Sequence, residues 1–210
     1  MITTQAPSAS PPRSAGDRRT IARFIPRPEV RERHAVLVHA PAGEMFAAAE
    51  AFDPMSIAAV RWIFAARARV LGASAPRRWA HGMAGEMETI GWGLLSLRPG
   101  RERVMGAVTR PWEPEPVFTP LPPERFAAFH PPGMVKIAWT IEAERLGPAL
   151  TRLSTETRAV ATDRESRRRF RGYWRRFGVG IVLIRWLLLR AIRRRAEQAA
   201  RRGEAIWKSK

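Results

Sequence analysis

STETRAVATDRESRRRFRGYWRRF, residues 154–177, holds the change of geometry on which the fold turns. Together with the residues just before it, its first part is rich in threonine (Thr151, Thr155, Thr157) and predicts a strand over residues 150–161. Asp163 then offers a carboxylate to the free N–H groups of a helix start. Beyond it, Phe170, Tyr173, Trp174 and Phe177 recur at spacings of three and four, which predicts a helix with one aromatic stripe turned to a core. Arg164, Arg167, Arg168, Arg171 and Arg175 fall on the wet side.

Downstream, Gly178 and Gly180 predict a break or kink, since glycine weakens a helix interior. A second helical piece is expected from Ile181 to about Arg202, with Ile181, Ile184, Leu188, Ile192 and Ala199 on one face and Arg190, Arg193, Arg194 and Arg201 opposite. Its first turns (Val182, Leu183, Trp186, Leu187, Leu189) are apolar almost all round, more than a helix on one sheet face needs. The apolar run 179–192 is interrupted by Arg185 and Arg190 and falls short of the roughly 20 residues of a spanning helix.

Upstream, Val135, Ile137, Trp139 and Ile141 alternate with Lys136, Ala138, Thr140 and Glu142, the pattern of a strand with one buried face. Residues 87–97 and 101–112 flank the turn Arg98-Pro99-Gly100 and predict a hairpin. Residues 73–85 are expected as a loop, and Pro122 to Phe129 as a short helix. Nearer the start, Val36, Leu37 and Val38 mark a first strand (33–40), then one helix over 42–52 and another opened by Asp53-Pro54 and closed near Gly72. Residues 1–28, with five prolines among Ser, Thr and Arg, read as a disordered leader whose end Ile21, Phe24 and Ile25 anchor.

A strand, two helices, a run of antiparallel strands and a long terminal helix is the order of the helix-grip fold. With RERHAVLVHAPAGEMFAA (31–48), PERFAAFHPPGMVKIAW (123–139) and STETRAVATDRESRRRFRGYW (154–174), the chain resembles an uncharacterised bacterial branch of the START-like superfamily, also called SRPBCC. That superfamily includes polyketide cyclases, aromatase-like domains and lipid-transfer domains. The resemblance implies an α+β domain over residues 29–177, a curved antiparallel sheet gripping the terminal helix, with residues 178–210 as an additional basic helix. It also implies a cavity for a hydrophobic small molecule or lipid. The inward candidates are Trp92, Met105, Trp112, Trp139, Phe170 and Trp174, with Arg110 as a polar group at a strand end.

Charge adds a second expectation. The 210 residues carry a net charge of +18, and residues 164–210 hold 16 Lys/Arg against 3 Asp/Glu. Such an excess implies an anionic partner, a membrane surface or a nucleic acid. The surface candidates are Ile184, Arg185, Trp186, Leu189, Arg190, Arg193 and Arg194. No apolar secretory core is visible, and the expected localisation is cytoplasmic, with the basic tail as the basis for peripheral association with a membrane. Cysteine is absent, which excludes a disulfide framework and a thiolate zinc site. His34, His39, His81 and His130 are scattered without metal-ligand spacing, and nothing in the sequence requires Glu86 and Glu88 to act as a pair of acids. No catalytic residue, metal or cofactor is assigned. The reading is non-catalytic binding, with a cyclase- or aromatase-like enzyme and a nucleic-acid binder as alternatives.

Overall fold

The computed structural model describes residues 20–74, 79 and 81–208, with side chains to residue 201. The elements run α1 (Thr20–Phe24), β1 (Val30–Val38), α2 (Ala42–Glu50), a 3-10 turn (Pro54–Ser56), α3 (Ala58–Leu71), α4 (Gly82–Thr89), β2 (Gly93–Arg98) and β3 (Glu102–Thr109). Then come α5 (Pro123–Phe126), β4 (Val135–Gly147), β5 (Leu150–Ala161) and α6 (Arg164–Lys208). The strands form one open antiparallel sheet in the order β1-β5-β4-β3-β2, with α6 lying against β1 and β5. This is the helix-grip arrangement.

Register settles which residues share a face. Ile137, Trp139 and Ile141 lie opposite Ala159, Thr157 and Thr155, and Glu32 and His34 lie opposite Thr157 and Thr155. Since side chains alternate along a strand, all of these point to the inner face, toward α6. On the outer face, Ile21, Phe24 and Ile25 pack with Leu95, Val104, Phe126 and Ala138. The buried pair Arg158–Glu156 (2.7 Å) ties this layer down, because Nη1 of Arg158 also donates to the Ile25 carbonyl at 3.0 Å. Residues 20–25 therefore belong to the domain, as their apolar pattern suggested. The expectation of a disordered leader over 1–28 is corrected for this helical segment; residues 26–28 lead into β1, and 1–19 lie outside the described residues.

Two readings are corrected. Residues 87–97 are not one strand: α4 occupies 82–89, and β2 begins only at Gly93. Met83, Met87 and Ile90 have helical spacing, and Gly91 turns the chain with a φ of +102° that side-chain-bearing residues rarely adopt. A Cβ there would lie 2.1 Å from the Phe118 carbonyl oxygen, so the close approach also requires glycine. Consequently Glu86 is buried and Glu88 exposed on a helix, where Glu88 pairs with Arg103 at 2.8 Å.

The second correction concerns α6, which continues for 45 residues straight through Gly178 and Gly180. At ~1.5 Å per residue it is about 67 Å long. The two glycines serve close packing: a Cβ on Gly178 would lie 3.0 Å from the Trp174 ring, and one on Gly180 would lie 3.0 Å from Ile63 Cγ2 of α3. Past them, Leu189, Ile192 and Ala196 enter the same core as Met105 and Trp139. The basic extension is thus a continuation of the gripped helix, with no boundary at 177/178.

Asp163 caps α6. Its Oδ1 accepts from the Ser166 amide and its Oδ2 from the Ser166 hydroxyl, both at 2.8 Å, and from the Gly133 amide. These bonds, Gly133 foremost, hold its carboxyl down at about 2.

Candidate functional site

The helix α6 is seated at two places and bridges a gap between them. Near its start, Phe170 packs with Val135, Ala159 and Ala161. Farther on, Leu189, Ile192 and Ala196 pack with Val38, Phe46 and Leu153. Between the seats, Trp174, Phe177, Ile181, Ile184 and Leu188 roof a cavity of about 750 Å3. Its floor is the inner face of β4 and β5 (Ile137, Trp139, Thr157, Ala159), and α3, α4 and the 111–118 loop form the sides. Trp92 and Phe118, stacked with centroids 5.4 Å apart, stiffen one wall. Exposed lining residues such as Ala66, Val70 and Arg176 mark the rim. The volume is that of a pocket for a small organic molecule.

The surplus apolar surface of residues 181–189 now has a physical account. Ile181, Ile184 and Leu188 face the cavity and Leu189 the core, while Val179, Leu183 and Trp186 stay outside, 81%, 42% and 46% exposed.

The wall contains few polar groups. Arg67 donates from Nε to the Tyr173 hydroxyl at 3.3 Å and from Nη2 to the Pro111 carbonyl at 3.2 Å. Thr157 Oγ1 is buried without a hydrogen-bond partner among the described residues. Arg185 also lines the cavity, and its Nε and Nη1 are buried with no partner among the described residues. Burial draws its guanidinium down to about 10, while the negative charge of Glu32 acts in the opposite sense. Glu32 lies across the sheet from Thr157 and has His34 Nε2 at 3.7 Å. No His, Asp, Glu or Lys lines the cavity among the described residues, and no cluster of three or more His, Asp or Glu there could hold a metal ion.

Of the inward candidates, Trp92, Trp139, Phe170 and Trp174 are brought together around the cavity. Met105 is fully buried in the core beside it, and Trp112 packs against the Phe170 cluster. Arg110 points to solvent, donating to the Gly133 carbonyl at 3.0 Å and pairing with Glu113 at 3.4 Å. Among the expected surface residues, Trp186, Arg190 and Arg194 are outside, and Arg193 pairs with Glu197 at 3.0 Å. Three are not on that surface: Leu189 is 2% exposed in the core, and Ile184 and Arg185 face the cavity. The helix stays in phase through the glycines, so its inner side carries on from Trp174 and Phe177 to these positions. Sequence reasoning missed Arg185 as an interior group; its one signal was a charge standing between Ile184 and Trp186 in an apolar run.

No helix among the described residues is long and apolar enough to cross a membrane. No protein-family model and no curated protein matches the chain. Among solved structures, the chain is similar to the crystal structure of the Zhui aromatase/cyclase from Streptomyces sp. R1128. The identity is 14% and the TM-score 0.27, over 79% of this chain and 94% of that one.

Proposed function

We propose that this protein is a START-like, non-catalytic carrier of an apolar small molecule or lipid, bound between β4–β5 and α6. The observation that carries the reading is the bridged helix: α6 is seated on both sides of a space of about 750 Å3 that its own apolar side chains do not fill. Burying apolar ligand surface there gains roughly 25 cal/mol per Å2 before the costs of association. The wall offers Arg, Tyr and Thr but no carboxylate or imidazole among the described residues, which favours binding over acid–base chemistry of the cyclase type. The aromatic stripe of α6 faces this space, so it is not presented for stacking on nucleic-acid bases.

Native mass spectrometry of the purified chain tests the reading. A retained hydrophobic molecule, lost when Ala66 at the rim is changed to Trp, is the expected result. Absence of both a retained ligand and any uptake of added apolar probes sinks it.

Membrane association is a second reading, supported by one stripe of α6. Val179, Leu183, Trp186, Arg190 and Arg194 recur every three or four residues on its exposed side, and Arg190 stacks on Trp186 at 4.0 Å. An apolar centre continued by arginines suits an anionic bilayer, where each arginine contributes about 1 kcal/mol. Co-sedimentation with phosphatidylserine-containing vesicles is expected to fall at least severalfold in a Leu183→Ser/Trp186→Ala variant. Unchanged sedimentation excludes the stripe as the contact.

A further inference from the structure

The cavity contains a charge that its apolar lining does not explain. A guanidinium out of water is costly unless its N–H groups are satisfied. Nε and Nη1 of Arg185 have no acceptor among the described residues, and neither has Thr157 Oγ1 on the floor of the same space. Thr157 stands opposite Glu32 in the β1–β5 register, and Glu32 is the charged group acting on Arg185, so the three share the inner face. Glu32 makes no ion pair with Arg185. It therefore tempers the local charge without occupying the donors.

Resting on the carrier reading above, we propose that the ligand is an amphiphile with a monoanionic oxygen head, a carboxylic acid, whose carboxylate is held by Arg185 with Thr157 as a further donor. Its apolar body lies along Trp139, Trp174 and Phe177. The head group is a carboxylate rather than a phosphate monoester because one guanidinium meets one negative charge. A second negative charge would add to the repulsion from Glu32. Of the other two cations in the lining, Arg67 has its Nε and Nη2 donors engaged with Tyr173 and Pro111, and Arg176 stands at the exposed rim.

Quenching of tryptophan emission in the full chain reads out binding, since Trp92, Trp139 and Trp174 line the space. The probes are decanoate, decan-1-ol and decyl phosphate at pH 8. A charge-assisted hydrogen bond at a buried site predicts decanoate binding about ten- to a hundredfold tighter than decan-1-ol. Decyl phosphate is expected to bind more weakly than decanoate. In an Arg185→Met variant, the preference for decanoate is expected to vanish while decan-1-ol still binds.

Equal binding of decanoate and decan-1-ol to the unaltered protein overturns the anchor and leaves the carrier reading standing. A preference that survives in Arg185→Met overturns it too. Tighter binding of decyl phosphate overturns the carboxylate class. If none of the probes binds, the carrier reading itself fails. The comparison of probes on the unaltered chain needs no variant to fold, and Thr157→Val, with a smaller expected loss, gives a second variant of nearly unchanged shape.

Discussion

Three glycines of α6 allow its packing to be tested one methyl group at a time. A Cβ on Gly172 meets open space, whereas one on Gly178 would lie 3.0, 3.1 and 3.2 Å from three atoms of the Trp174 ring. One on Gly180 would meet only Ile63 Cγ2, at 3.0 Å. In a helix interior, alanine is favoured over glycine by ~0.8–1.0 kcal/mol. Gly172→Ala is therefore expected to gain nearly all of that, which raises Tm by about 2–4 °C in a domain of this size. At Gly178 the methyl meets a rigid ring that must shift by a few tenths of an ångström, and overpacking of this kind costs ~1–3 kcal/mol. Because Trp174 borders the cavity and has room to move, the lower end of that range applies. Gly178→Ala is then expected to lie between no change and a loss of about 1 kcal/mol. Gly180→Ala presses on the mobile end of one side chain and is expected to fall in between. Urea unfolding with unchanged m-values reads all three. A gain at Gly178 equal to that at Gly172 would refute the seating of Trp174 against the helix backbone, and with it the account of why α6 carries glycines here.

Other consequences can be measured on the same chain. Leu189→Ala should lose about 2–5 kcal/mol in denaturant unfolding because it empties a core position, while Leu183→Ala, earlier on the same helix and outside, should stay within about 0.5 kcal/mol. Glu156→Ala leaves the buried Arg158 without its carboxylate and is expected to lose about 3–5 kcal/mol by the same measurement. Asp163 has its carboxyl held at about 2 against an ordinary 3.8, so its stabilisation is complete above about pH 4 and disappears as pH falls through 2. Thermal melts of Asp163→Asn and the unaltered chain should therefore differ most above pH 4 and converge toward pH 2; a constant difference across that range contradicts the cap.

Much of the fold was legible because its signals are local. The period-two alternation of residues 135–142 marked β4, and Asp163 with the spacing of Phe170, Tyr173, Trp174 and Phe177 marked the start of α6. Ile21, Phe24 and Ile25 were readable as an anchor, since three bulky apolar residues in a polar, proline-rich stretch need somewhere to go. The segment around Met87 was misread because residues apolar on both phases suit a buried strand and a helix equally, and only contacts with α2 and the core decide between them.

The cavity is where local reading stopped. Trp92, Trp139, Phe170 and Trp174 could be named because large aromatic residues at regular spacing must face inward. Met105 and Trp112 have the same character, yet they fill core, since whether an inward residue meets a neighbour or a void depends on how far apart two layers are held. Arg185 shows the limit most clearly. Composition and periodicity treated it as one of many arginines on a basic tail, because a charged side chain is ordinarily cheapest in water. Its place inside follows from the unbroken phase of α6 through Gly178 and Gly180, which depends on Trp174 and Ile63 packing against those glycines. The sequence alone determined that the chain has a basic amphipathic terminal helix and an antiparallel sheet to receive it. Tertiary structure decided which arginine points inward, because the rotation of a helix over a sheet is set by packing at both of its ends.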